Sequence, residues 1–126
     1  MKIEHLALWT PDLEQMKAFY VEYFQASAGA KYANPKTGFS SYFISFESGA
    51  RMELMTMPGI LPAVAGQAFG YIHLAVSAGS VEAVDALAEK FTRGGRPPLS
   101  PPRWTGDGYY EFVVLDPDGN RVEITI

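Results

Sequence analysis

At 126 residues, with 48% hydrophobic and 13% aromatic content, the chain has material for one compact core and not for two independent domains of ordinary size. A formal charge of -4 leaves no basic face for a phosphate backbone and excludes nucleic acid as an expected partner. The absence of cysteine excludes disulfides, thiolate metal sites and a thiol nucleophile. No apolar run approaches membrane-spanning length, and the opening MKIEHLALWTPDLE meets acids too early for a secretory leader, so a cytoplasmic protein with no membrane contact is expected.

The first run, Lys2 to Trp9, alternates as a strand does, with Ile3, His5, Ala7 and Trp9 on one face and Leu6 and Leu8 on the other. TPDLEQMKAFYVEYF then changes period: Leu13, Met16, Phe19, Tyr20 and Phe24 recur at helical spacing, Asp12 is placed as N-cap, and Gln15 completes a capping-box-like pair. Three strands are predicted next, near Ala28 to Tyr32, Phe39 to Phe46 and Arg51 to Met57, separated by the turn-rich NPKTG and ESGA. Tyr71 to Ser77 reads as another strand, and Ser80 caps a helix whose Val81, Val84, Leu87 and Phe91 form a narrow apolar stripe. The segment RGGRPPLSPPRWTGDG can hold at most a short edge strand. Tyr109 to Leu115 and Arg121 to Ile126 close the chain as two strands around the turn DPDG.

The order strand, helix, strands is thus written twice, with module one spanning about 1–58, a linker about 59–69, and module two about 70–126, all within one domain. His5-Leu6-Ala7 recurs as His73-Leu74-Ala75 at a spacing of 68, and GARMEL recurs as GNRVEI at a spacing of 70. The chain's two histidines and the strand glutamates Glu53 and Glu123 therefore occur once per module. Duplication of a packing unit accounts for the repeated leucines but not for repeated His and Glu.

Alternation sends Met52 and Leu54, and likewise Val122 and Ile124, to the helix-covered face of each sheet, and Glu53 and Glu123 to the other. The expected class is α+β, two βαβββ modules whose curved half-sheets enclose a cavity, with helices on the outer faces. His5, Glu53, His73 and Glu123 would line that cavity. A carboxylate at mid-strand in a cleft is costly to desolvate unless paired, protonated or bound to a cation. Two imidazoles and two carboxylates suit a divalent metal ion: zinc, nickel, cobalt, manganese or iron. The plainer alternatives are hydrogen-bonded core histidines and glutamates in solvated ion pairs with Arg51 and Arg121 on the same face. Trp9, Met55 and Tyr71 share the candidate ligand face, and the loops MPGILPAVAGQAF and PPRWTGDGYY are expected to border the cavity. They bring Tyr109, and Arg103 as an anion contact, to a substrate pocket, although a loop arginine is commonly just solvated.

Paired βαβββ modules, a histidine in the first strand and a glutamate in the last strand of each, and the closing LDPDGNRVEI together resemble the vicinal oxygen chelate superfamily, which includes glyoxalase I. The resemblance covers essentially the whole chain. It implies a divalent metal that chelates two neighbouring oxygens of a substrate, and the set His5, Glu53, His73 and Glu123 is most similar to that of glyoxalase I. By that resemblance the activity would be a metal-dependent lyase or isomerase reaction on an α-hydroxycarbonyl or hemithioacetal adduct, with Glu123 moving the proton and Glu53 assisting or replacing it. Two features depart from glyoxalase I: Trp9 replaces an arginine near the end of the first strand, and Met55-Thr56-Met57-Pro58 stands where an asparagine is usual, which puts glutathione in doubt as the thiol. The alternatives within the superfamily are a drug-binding resistance protein of bleomycin or fosfomycin type and an extradiol-type dioxygenase. Two-module chains of this kind commonly dimerise, so the expected partners are a small-molecule substrate and a second copy of the chain.

Overall fold

The computed structural model describes residues 1–62 and 69–126. The centre of the expected linker, with part of MPGILPAVAGQAF, lies outside the described residues. The chain divides into two units, Met1–Ala65 and Gly66–Ile126, each βαβββ-like.

In the first unit β1 (His5–Trp9) leads to α1 (Leu13–Phe24), followed by β2 (Ser27–Ala28), β3 (Tyr32–Ala33), β4 (Ser40–Ser45) and β5 (Arg51–Thr56). Asp12 caps α1 as predicted, its Oδ1 accepting from the Gln15 backbone N–H at 2.9 Å. The sheet runs β1-β5-β4-β2, with β3 also on β4; β1 and β5 are parallel and the remaining pairs antiparallel. The single strand expected near Ala28 to Tyr32 is instead two short pieces, both paired with β4. The Lys2 to Trp9 strand shortens to five residues, because pairing with β5 starts only at His5 opposite Arg51.

The second unit repeats the plan with β6 (Leu74–Ser77), α2 (Val81–Arg93), β7 (Arg103–Trp104), β8 (Tyr110–Leu115) and β9 (Arg121–Thr125). Its sheet runs β6-β9-β8-β7, again with one parallel pair, β6 on β9. Ser80 caps α2 by accepting from the Ala83 backbone N–H at 3.2 Å. The Pro-rich segment contributes only the two-residue edge strand β7, as its composition requires.

Each core lies between one helix and one sheet face. Leu13, Met16, Phe19, Tyr20 and Tyr23 of α1 are buried, as are Tyr42, Ile44, Met52 and Leu54 of β4 and β5. In the second unit Val84, Ala88 and Phe91 are buried, with Phe112, Val114, Val122 and Ile124 as their sheet counterparts. Ala88 rather than Leu87 takes the third buried helix position; Leu87 is half-buried. The glycines that open GARMEL and GNRVEI recur for a backbone reason, since Gly49 and Gly119 sit at φ 87° and 85°, the left-handed region. Among the described residues no helix is long and apolar enough to cross a membrane.

Candidate functional site

The face of each sheet turned away from its helix carries the polar residues singled out by the repeat. In β5 the burial alternates, with Met52 and Leu54 buried, Arg51 exposed and Glu53 and Met55 half-buried. In β9 Val122 and Ile124 are buried, Arg121 is exposed, and Glu123 and Thr125 are half-buried. The cross-strand neighbours of Glu53 are Ala7 and Phe43, and those of Glu123 are Ala75 and Val113. His5 lies opposite Arg51, one diagonal step from Glu53. His73 immediately precedes β6 and stands in the same relation to Glu123.

In the second unit this places the His73 Nε2 3.6 Å from Glu123 Oε2, with the Glu123 side chain only 16% exposed. Metal bonds to imidazole nitrogen and carboxylate oxygen are about 2.0–2.2 Å long. Two donors 3.6 Å apart can therefore share one ion. In the first unit His5 Nδ1 meets the Glu4 carboxylate, and its ring packs edge-on to Phe43 with centroids 5.5 Å apart. A histidine held at Nδ1 by a carboxylate presents Nε2 in a fixed direction, the usual arrangement of a metal-bound imidazole. The hydrogen bond from His5, and next the Arg51 guanidinium, hold the Glu4 carboxyl below its usual range.

The ion pair between Arg51 and Glu53, the plain alternative to a ligand role, is not what forms. Arg51 Nε donates to Glu4 Oε1 at 3.0 Å, and its guanidinium carbon lies 4.2 Å from the Phe43 ring centroid. The donor chemistry of the two His and Glu pairs fits a divalent ion. Among the described residues, however, no three His, Cys, Asp or Glu side chains form a metal-binding cluster.

Glu111, not among the sequence candidates, stands beside this second pair. It faces Thr125 across β8 and β9, so it shares the sheet face of Glu123. Burial and then the charge of Glu123 push its carboxyl upward, against the pull of Arg103, whose Nη2 is 3.9 Å from Glu111 Oε1. The alternation of Phe112 and Val114 could have found it, since Glu111 is out of phase with both. At the equivalent position of the first unit stands Ser41, opposite Met55 as Glu111 is opposite Thr125.

The expected pocket residues are placed as follows. Met55 is half-buried, whereas Trp9 is 42%, Tyr109 52% and Tyr71 98% exposed. Trp9 shares the face of Glu53 by its pairing with Met55. Arg103 is exposed and directed to Glu111. Trp104 instead pairs with Tyr110, whose hydroxyl donates to Asp85 of α2 at 2.8 Å, so it belongs to the helix side.

Residues 2–124 match the model of the Glyoxalase/Bleomycin resistance protein/Dioxygenase superfamily. Among solved structures, the glyoxylase/bleomycin resistance protein/dioxygenase domain from Frankia sp. EAN1pec is 19% identical with a TM-score of 0.85, over 100% of this chain and 97% of that one. The V278E mutant of glyoxalase I from Zea mays is 23% identical with a TM-score of 0.82; the match takes in 98% of this chain, which spans only 44% of the maize protein. Lactoylglutathione lyase from Agrobacterium tumefaciens is 24% identical with a TM-score of 0.73, over 98% and 91% of the two chains. No curated protein matches.

Proposed function

The chain belongs to the Glyoxalase/Bleomycin resistance protein/Dioxygenase superfamily, and from that premise we propose that it is a metal-dependent lyase or isomerase of glyoxalase type. The substrate class is a small α-hydroxycarbonyl or hemithioacetal, and the metal donors are His5, Glu53, His73 and Glu123. The observation that carries this reading is the approach of His73 Nε2 to Glu123 Oε2 at 3.6 Å on the helix-free face of the sheet, from positions that the first unit repeats with His5 and Glu53. Packing alone does not require a repeated imidazole and carboxylate there.

A divalent ion in such a site supplies Lewis-acid stabilisation of the charge that develops when a C–H beside a carbonyl loses its proton. The chain's own residues do the rest. Glu123, flanked by Ala75 and Val113 in the sheet, takes the proton from one carbon and returns it to its neighbour, as general base and then general acid. Its low exposure limits competition from water for the proton. Glu4 orients His5 through Nδ1, and Glu53 assists or replaces Glu123 as base. With Trp9 at the end of β1 and Met55-Thr56 at the end of β5, a thiol other than glutathione is expected. A drug-binding role, by contrast, needs no metal donors.

The test is direct. Protein purified without added metal is loaded with nickel, zinc, cobalt, manganese or ferrous ion and assayed with methylglyoxal and glutathione, then with other thiols, with and without EDTA. Turnover that EDTA abolishes and one ion restores is the expected result. Stoichiometric metal with no proton exchange on any adduct would defeat the reading, and oxygen uptake with catechols would replace it by ring-cleaving chemistry.

A further inference from the structure

The two units differ in one row of their sheets. In the first, Trp9 pairs with Met55, Met55 with Ser41, and Ser41 with Tyr32, so the four share one face, two positions beyond Glu53. Phe39, immediately before β4, joins this row: its ring centroid lies 6.2 Å from Trp9 at 89° and 6.0 Å from Tyr32 at 55°. In the second unit the matching row is Ser77, Thr125, Glu111 and Arg103. The duplicated architecture therefore folds with hydroxyl and ionic groups in these places, and the aromatic row of the first unit is not a packing requirement of the module.

Neither does the row serve the core, which lies on the opposite face with Leu54 and Met52. Trp9 is 42% and Tyr32 56% exposed. Large rings left in water contribute little to folding, whereas rings already ordered against one another lose little freedom when a further ring joins them. The patch is three rings wide, and Trp9 pairs with Met55, two residues beyond the candidate metal donor Glu53, a size that fits a small molecule rather than a protein surface.

Resting on the metal-site reading above, we propose that Trp9, Phe39 and Tyr32 are the specificity-determining surface beside the first unit's donors, His5 and Glu53, and take a flat apolar group, an aryl ring, carried by the ligand beside its two chelating oxygens. Mandelate and lactate offer the same hydroxyl and carboxylate oxygens and differ in phenyl against methyl. Trp104→Phe protein leaves Trp9 as the sole tryptophan, so its emission reports on the row, and calorimetry gives the affinity of each probe for nickel-loaded and metal-free protein. Mandelate is expected to bind about tenfold more tightly than lactate in both forms, with a change in Trp9 emission that lactate does not produce. In Tyr32→Ala and Phe39→Ala the ratio falls toward one while lactate affinity stays. A ratio near one in the parent, a ratio that survives both substitutions, or a silent Trp9, as when a second copy of the chain covers the row, overturns the proposal. If nickel adds no affinity but the mandelate preference persists, the metal reading fails and the aryl surface stands.

Discussion

Glu4 touches both His5 and Arg51, so one exposed carboxylate organises the polar face of β1 and β5. That arrangement leaves Glu53 without Arg51 as its partner. Glu53→Gln and Glu123→Gln are both expected to lower metal content after dialysis, and Glu123→Gln to lower turnover per bound metal by about 10²-fold or more, the usual scale for loss of a general base. Metal analysis beside steady-state rates checks both. On the helix side, Glu14 accepts from Tyr42 Oη at 2.9 Å and from Lys31 at 3.1 Å and pairs with Lys17. Lys17 first, then Lys31 and Tyr42, lower its carboxyl from the usual 4.5 to about 2. A carboxyl depressed on folding stabilises the native state fully above its unfolded value and loses that contribution as pH falls. Native stability should therefore decline between about 4.5 and about 2, and Glu14→Gln should flatten that limb in acid denaturation followed by circular dichroism. At this scale the sequence disclosed the repeated His and Glu, because each sits in a duplicated string. It did not disclose Glu111 or the destination of Arg51, because those depend on which side chain faces which across paired strands.

The helices and their N-caps, Asp12 and Ser80, were legible, since capping and a 3.6-residue period are local properties. Their ends still carry something sequence reading passes over: Gln25 closes α1 at φ 53°, a left-handed conformation that suits glycine. Gln25→Gly is expected to stabilise the protein by about 1 kcal/mol, read as a higher chemical denaturation midpoint. Phe91 of α2 is fully buried against Phe112, with ring centroids 6.2 Å apart, and Phe91→Ala should cost about 3–5 kcal/mol in the same measurement. The replacement of Leu87 by Ala88 on the buried stripe shows where local pattern fails. A rotation of the helix by about one residue separates the two readings, and only the sheet beneath it chooses. The split of one expected strand into β2 and β3 has a similar origin, because both pieces exist only by pairing with β4.

For the whole molecule, a metal that binds the native state and not the unfolded chain raises stability by mass action, about 2.7 kcal/mol at a hundred times the dissociation constant. The melting temperature should therefore rise with added nickel or zinc and return with EDTA, and Glu53→Gln with Glu123→Gln should remove that response. The amino-acid sequence by itself determined the duplicated βαβββ order, the helices and their N-caps, and the assignment of the glutamates to the helix-free faces. Those features follow from periods of 2 and 3.6 residues and from short turn strings, which act over a few neighbouring residues. Only the tertiary structure decided that His73 Nε2 and Glu123 Oε2 stand 3.6 Å apart, that Glu111 shares the face of Glu123 with Arg103 beside it, and that the rings of Trp9, Phe39 and Tyr32 meet in one row. Each of these depends on the register between strands distant in the chain, where a shift of one residue would turn every side chain to the opposite face.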